Sequence, residues 1–197
     1  MANNCYNTFS FFGNSKVNKQ IDEWLIKLKE GSLNKSDTNK GFTIFEVFFP
    51  GEDIQSAIPY LGTKWAYPDF GESISLDAGE LGFVSAWNSM EGFQDHLTVV
   101  LNKLDKNVVV LLSSNTETYE EEARYTAIGS DGSVISESAQ LNYEDEDEGK
   151  EDPDYTLFCE HRIDSCEDLI SLAPGIKPRL KEHLKFLNQA FDESLKG

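Results

Sequence analysis

The sequence is poor in the residues that build metal centres and disulfide frameworks. It holds three cysteines and three histidines in 197 residues. Cys5, Cys159 and Cys166 form no C-x-x-C pair, and their odd number does not suit a disulfide framework. Cys159 and His161 are two residues apart, but this pair falls short of the three or four ligands that zinc needs. We therefore expect no metal, no cofactor and reduced thiols, as in a cytosolic protein.

Long apolar runs and targeting segments are also missing. No stretch approaches the roughly 18 apolar residues of a membrane-spanning helix. The first six residues are polar and uncharged, and the apolar run from Phe9 to Phe12 is too short for a signal peptide. The expected location is the cytoplasm.

No motif of a known reaction centre is present. Gly129-Ser-Asp-Gly132 has no Lys-Ser/Thr after it and lies between two strand patterns, so it predicts a hairpin turn and not a phosphate loop. There is no G-x-S-x-G elbow. Cys159 with a remote histidine would make a nucleophile–base pair, but a buried structural cysteine is the favoured interpretation. The acidic runs share one solvated environment, whereas acid–base catalysis needs carboxylates in two different environments.

Acidic residues are abundant. The 35 acids and 17 bases give a net charge of −18. The tract Tyr143–Asp154 (YEDEDEGKEDPD) predicts a solvated acidic loop, and we expect an acidic surface at Glu144, Asp145, Glu146, Asp147 and Glu148. Such charge repels nucleic acid and anionic membranes, so neither is an expected direct partner. It suits solubility, a basic protein partner or mimicry of nucleic acid, and we expect the charge outside the tract to be spread over the fold.

Thirteen Phe, seven Tyr and three Trp predict an aromatic core. Helical spacing indicates a helix that starts at Asn14 or Ser15 and ends at Gly31, a second that Ser89 caps, a short one at Cys166–Leu172, and a last one with a seam at Leu180, Leu184, Leu187, Phe191 and Leu195. Strand patterns occur at Cys5–Phe12, Phe42–Phe49, Glu72–Asp77, Glu80–Trp87, Asn107–Leu112, Glu122–Ile128, Val134–Gln140 and Tyr155–Arg162.

This order predicts an α+β protein with a ferredoxin-like split βαβ core. The core would be a largely antiparallel sheet with two helices on one face, plus an added β-hairpin and a C-terminal helix. We expect one domain over residues 1–142, with an excursion at 50–71 and the hairpin at 122–140. The acidic loop at 143–154 follows, and then residues 155–197 contribute a strand and the C-terminal helix, which pack on the same domain.

Four short segments in order carry a family resemblance. They are Met1-Ala-Asn-Asn-Cys-Tyr-Asn7, Gly62-Thr63-Lys64-Trp65, Ala86-Trp87, and Tyr119-Glu-Glu121 before an Asp-Gly hairpin turn. Together they resemble the YubB ferredoxin-like domain family, found on bacterial plasmids, in phages and in chromosomal islands, over roughly residues 1–142. The resemblance implies a ferredoxin-like fold without an iron–sulfur cluster and no established enzymatic activity.

Polar and aromatic residues near strand ends are the candidate binding residues: Lys64, Trp65, Trp87, Tyr119 and Glu120. Trp and Tyr favour interfaces, although the favoured interpretation of Trp65 is a core residue that folds over the sheet. The first functional hypothesis is a non-enzymatic protein-binding module of a bacterium or mobile element, acting through its acidic surface on a basic or DNA-binding host protein. The second is an enzyme with a pocket near Lys64, Trp65, Trp87 and Tyr119, and the third is a structural homo-oligomer joined by the C-terminal helix.

Overall fold

The computed structural model describes residues 4–33, 41–51, 59–63, 66–68, 80–86, 88–116, 121–141 and 167–181. The strands of this part of the chain are β1 (Asn4–Phe12), β2 (Ala66–Pro68), β3 (Glu80–Ala86), β4 (Val109–Thr116), β5 (Glu121–Ile128) and β6 (Val134–Leu141). Its helices are α1 (Ser15–Leu33), α2 (Gly41–Phe48), α3 (Glu91–Asn102) and α4 (Glu167–Leu172), with a 3-10 helix at Pro174–Ile176. Residues 59–61 and 177–181 are also helical.

The strands form one sheet in the order β2-β3-β1-β4-β5-β6, and every neighbouring pair is antiparallel. The predicted α+β class with an antiparallel sheet is confirmed. Asn4 lies opposite Ala86, and Glu121 lies opposite Leu141, at one end of the sheet. We call this the Asn4 end, and we call the opposite end, where Phe12 pairs with Val109, the Phe12 end.

Aromatic side chains form the core between the sheet and α1, α2 and α3. Phe9, Phe83 and Phe93 meet edge to face, with ring centroids 5.5–5.8 Å apart. Phe48 from α2 adds an edge contact of 4.9 Å to Phe93. Such pairs contribute about 0.5–1.5 kcal/mol each beyond the area that they bury. The predicted aromatic core is therefore observed on this face.

The other face of the sheet has its own core. Alternate residues of a strand point to opposite faces, so Val110 and Leu112 of β4 join the first core whereas Val109 and Leu111 join the second. The residues that cover this second face include Leu169, Ile176 and Leu180. Because β4 is covered on both faces, its continuous Val and Leu run is the pattern expected of a buried strand.

The prediction of a strand at Phe42–Phe49 is wrong, because this segment is helix α2. In a strand, Ile44, Glu46 and Phe48 would share one face, and the glutamate would enter the core between two apolar side chains. In the helix, Ile44 and Phe48 lie one turn apart and are buried, while Glu46 is exposed. The ring of Phe48 also packs 4.9 Å from that of Trp24 in α1. This packing overrides the strong strand propensity of the segment.

Gly31 does not end α1 as predicted, since the helix continues to Leu33. A Cβ atom at Gly31 would lie 2.6 Å from Cγ2 of Thr43. The glycine therefore allows α1 and α2 to approach closely. At the other end the prediction is confirmed, because Oδ1 of Asn14 accepts hydrogen bonds from the N–H groups of Lys16 and Val17 and so caps the helix.

Most of the remaining element predictions are confirmed within about two residues: the first strand, the strand from Glu80, the hairpin and the short helix before Leu172. Strand β4 begins two residues later than predicted and extends four residues further. Ser89 is not the cap of α3: the capping position is Met90, without a side-chain cap. The predicted strands at Glu72–Asp77 and Tyr155–Arg162, the acidic loop at 143–154 and the C-terminal helix beyond residue 181 lie outside the described residues.

A search of the described helices finds none whose length and apolar content would let it cross a bilayer.

Candidate functional site

A buried amide organises the Asn4 end of the sheet. Asn7 is 2% exposed, and its Nδ2 donates hydrogen bonds to the carbonyl of Cys5 (3.0 Å) and to Oγ of Ser85 (2.9 Å). Its Oδ1 accepts a hydrogen bond of 3.0 Å from the N–H group of Met90, the residue before α3. The N-terminus of α3 is thus held by a strand side chain and not by its own capping residue.

The chain next to this amide is also fixed by side-chain hydrogen bonds. Oγ of Ser85 donates to the carbonyl of Asn88 (2.7 Å). Oγ1 of Thr63 donates to the carbonyl of Ala86 (2.9 Å) and accepts from its N–H group (3.2 Å). The backbone on both sides of position 87 is therefore held rigidly against β1 and residue 63.

The five predicted binding residues, Lys64, Trp65, Trp87, Tyr119 and Glu120, lie outside the described residues. The positions beside them gather at the Asn4 end: Ala66 is near Ala86 in the β2–β3 pairing, and Thr116 pairs with Cys5. Ala86 and Glu121 belong to strands three spacings apart, about 14 Å.

Acidic segments leave the sheet side by side at this same end. Glu121 pairs with Leu141 and Glu122 with Gln140, so strands β5 and β6 end about 5 Å apart. Glu117 and Glu120 precede β5, and the tract that begins at Glu144 follows β6 by three residues. The predicted surface residues Glu144, Asp145, Glu146, Asp147 and Glu148 lie outside the described residues, but the strand that precedes them ends beside Glu121, where β5 begins.

The charge is unevenly divided between the described residues and the rest of the chain. The described residues hold 14 of the 35 acids and 10 of the 17 bases, which leaves −4 of the net charge of −18. The remaining −14 belongs almost entirely to the segments between the described ranges, which carry −13, since residues 1–3 have no charged side chain and residues 182–197 carry −1. Outside the acidic tract the net charge is −11, of which the described residues carry −4, and the spread of the remainder over the fold stays a prediction.

Arg124 forms a buried polar cluster between α3 and the sheet. Its side chain is 10% exposed, and its Nη1 donates to Oε1 of Gln94 (2.7 Å) and to Oδ1 of Asp95 (2.8 Å). Nε2 of Gln94 donates in turn to the carbonyl oxygens of Val110 (2.9 Å) and Arg124 (2.6 Å). Each of these groups has a hydrogen-bonding partner, so the cluster locks α3 onto β4 and β5.

Asp105 forms a second buried polar cluster, at the Phe12 end. Its Oδ2 accepts hydrogen bonds from the N–H group of Asn14 (2.8 Å) and from Nη2 of Arg179 (3.0 Å), and its Oδ1 accepts one from the N–H group of Asn107 (3.0 Å). Burial raises the pKa of Asp105, but the two N–H groups and the guanidinium outweigh burial, and the pKa is lowered from its ordinary value.

Sequence reasoning missed these structural polar residues, although a signal exists for two of them. Gln94 and Thr98 stand four residues apart, among the apolar positions that face the sheet, and both are fully buried. A polar residue inside a helical apolar stripe predicts a buried hydrogen bond. Asn7 carries no comparable signal, because only the tertiary structure brings the N-terminus of α3 to it.

Within the described ranges, no group of three or more His, Cys, Asp or Glu side chains is placed to hold a metal ion. Comparison of the chain with protein-family models, with curated proteins and with solved structures finds no match.

Proposed function

We propose that this protein is a non-enzymatic binding module that engages a basic protein through the Asn4 end of its sheet. The observation that carries the proposal is the pairing of Glu121 with Leu141, which makes the two acidic segments of the chain leave the sheet at adjacent points. Clustered charge of one sign steers and selects a partner of the opposite sign.

The proposal is supported by the ion pairs that the buried charged side chains of the described residues form. Arg124 and Asp105 are the charged side chains that are buried in this part of the chain. Both are committed to ion pairs, Arg124 with Asp95 and Asp105 with Arg179. A catalytic acid or base needs a pKa matched to its task and a position in a cleft, whereas these two groups connect elements of the fold.

The proposed fold family rests on strand order. Reading from the edge, β2-β3-β1-β4 is an antiparallel arrangement with α1 and α2 between β1 and β2 and with α3 between β3 and β4. This is the plan expected of a ferredoxin-like split βαβ core, to which β5 and β6 add a hairpin. It supports the proposed relationship to YubB-like proteins of bacteria and mobile elements, whose partners would be host DNA-binding proteins.

The test is capture of basic proteins from a bacterial lysate on the immobilised chain, at low and at high salt. We expect DNA-binding proteins to be enriched at low salt and to be released at high salt, because screening weakens exposed charge pairs. In the decisive variant, Glu144, Glu146 and Glu148 are changed to Gln and Asp145 and Asp147 to Asn, and we expect capture to fall by at least about tenfold for an electrostatic interface.

The matched control removes the same charge elsewhere, at the exposed residues Asp22, Glu23, Glu30, Glu46 and Asp168. We expect this control to keep most of the capture, since four of its five positions are on the α1 and α2 layer and the fifth is on α4. Equal losses in the two variants would show that only net charge matters. Capture that resists salt would contradict an electrostatic interface altogether.

A further inference from the structure

A cleft opens at the Phe12 end of the molecule, away from the acidic segments. It lies between the last turn of α3, the β5–β6 turn and the 3-10 helix at Pro174–Ile176, and it has a volume of about 470 Å³. Ligand pockets of proteins commonly measure about 300–1,000 Å³. The cleft is therefore large enough for a small organic molecule.

The walls of the cleft expose apolar side chains. Val99 is 44% exposed and Leu172 is 54% exposed, and both are among the five large hydrophobic side chains that the described residues leave exposed. Ile128 adds a third apolar wall from the end of β5. Two elements that are far apart in sequence thus bring exposed apolar surface to one concave site, which is the arrangement that favours an apolar ligand body.

The polar side of the cleft carries positive charge and amide groups. Among the described residues, Lys106 is the one ionisable side chain that lines it, and Asn102 and Asn107 line it as well. The nearby carboxylate of Asp105 already accepts hydrogen bonds from Arg179 and from two backbone N–H groups. That of Asp131, which stands between the lining residues Ser130 and Gly132, accepts hydrogen bonds from the N–H and Oγ groups of Ser133.

Backbone packing shapes the wall that carries these amides. A Cβ atom at Gly175 would clash with the side-chain amide of Asn107, so the absence of a side chain lets this amide lie directly against the 3-10 helix. Gly132 has a φ of 86°, a conformation that glycine adopts at little cost, and it forms part of the opposite wall. Amide groups and Lys106 therefore stand beside an apolar wall built from Val99 and Leu172.

We propose that this cleft binds a small amphipathic monocarboxylate, with its aliphatic body against Val99, Ile128 and Leu172 and its carboxylate at Lys106. A single ammonium group matches a single negative charge, and side-chain amides complete the hydrogen bonding of a carboxylate oxygen. The site is independent of the protein-binding function proposed above, because the acidic segments leave the sheet at its other end.

The test is a titration of the full chain with octanoate, followed by two-dimensional amide NMR. Gly129, Gly132 and Gly175 line the cleft, so their amide resonances report on it directly. We expect saturable shifts at these three glycines with octanoate, weaker ones with octan-1-ol, and the weakest with octylamine, whose ammonium group is repelled by Lys106. Shifts that do not saturate, or octylamine binding as tightly as octanoate, would overturn the proposal.

Two variants at exposed positions separate charge from apolar contact. Lys106→Met is expected to weaken octanoate roughly three- to fivefold, the range of an exposed ion pair, and to leave octan-1-ol unchanged. Leu172→Asp is expected to weaken both ligands. The control Lys27→Met removes an exposed charge from α1 and should leave octanoate binding unchanged. An equal loss in Lys27→Met and Lys106→Met would contradict a site at Lys106.

Discussion

Nη2 of Arg179 lies 3.0 Å from Oδ2 of Asp105, and this ion pair joins the C-terminal residues to the loop between α3 and β4. Because Oδ2 also accepts a hydrogen bond from the N–H group of Asn14, one carboxylate connects the start of α1, the end of α3 and the segment that covers the second face of the sheet.

The first prediction concerns the pH dependence of Asp105. Its pKa in the folded protein is lowered below the ordinary 3.8, so its stabilising effect is fully present above pH 3.8 and is lost as the pH falls through the lowered pKa. We expect Asp105→Asn to reduce the free energy of unfolding at pH 7 by about 1–3 kcal/mol. Urea unfolding at pH 7 and well below the lowered pKa measures it.

The wild type and Asp105→Asn should converge in stability at the acidic pH, because the wild-type carboxyl is then protonated and both side chains are uncharged. Asp22→Asn, at an exposed position of α1, is the control and should change little at pH 7. A stability difference between wild type and Asp105→Asn that is the same at both pH values would refute the electrostatic explanation.

The second prediction concerns Asn7. Asn7→Leu leaves the N–H group of Met90 without its acceptor and removes the Nδ2 donor from Oγ of Ser85, which keeps its hydrogen bond to the carbonyl of Asn88. Each such loss in a buried environment costs about 1–3 kcal/mol. We expect a total loss of roughly 2–5 kcal/mol, measured by thermal or urea unfolding. Asn18→Leu makes the same chemical change at an exposed position of α1 and should stay within about 0.5 kcal/mol of the wild type.

The third prediction concerns the contact between α1 and α2. Glycine inside a helix is usually less stable than alanine by about 1 kcal/mol, yet we expect Gly31→Ala to destabilise this protein, because the new Cβ atom would meet Cγ2 of Thr43 at 2.6 Å. Thr43→Ser removes that methyl group. In a double-mutant cycle by urea unfolding, Gly31→Ala should be markedly less harmful in the Thr43→Ser background, and a coupling free energy of zero would disprove the contact.

The fourth prediction concerns the C-terminal segment. Leu180 is 1% exposed and belongs to the second core, so Leu180→Ala should cost about 2–5 kcal/mol. Leu172→Ala, at a largely exposed position, should cost about 0.5 kcal/mol or less. Chemical unfolding of both variants checks this. If Leu180→Ala matched Leu172→Ala, then Leu180 would be available for the helix-mediated oligomer and not for this core.

The burial of Leu180 also bears on how to test the hypothesis of a homo-oligomer joined by the C-terminal helix. Truncation at Pro174 would remove Ile176 and Leu180, both of which are in the second core. A truncation after Lys181 keeps these residues and deletes the seam positions Leu184, Leu187, Phe191 and Leu195. We expect light scattering to give the same oligomeric state before and after this truncation, since the proposed binding surface is the Asn4 end of the sheet and not the seam. A smaller particle after truncation would favour the helix-mediated oligomer.

Local sequence patterns determined the elements whose conformation depends on near neighbours. The β5–β6 hairpin follows from its Asp-Gly turn, where Oδ1 of Asp131 accepts hydrogen bonds from Ser133 and Gly132 has a positive φ. The apolar spacing of α3 and the cap at Asn14 are equally local. The excess of acids and the aromatic content are also properties of the sequence alone.

Only the tertiary structure decided the features that depend on distant partners. Residues 42–49 have the composition of a strand, but burial against Trp24 makes the segment helical, because the helix places Ile44 and Phe48 inside and Glu46 outside. Gly31 is the residue type that commonly ends a helix, but here it lies inside α1 and allows the side chain of Thr43 to approach closely. The apolar cleft by Lys106 exists because α3 and the segment after α4, about 70 residues apart in sequence, pack on either side of the same hairpin turn.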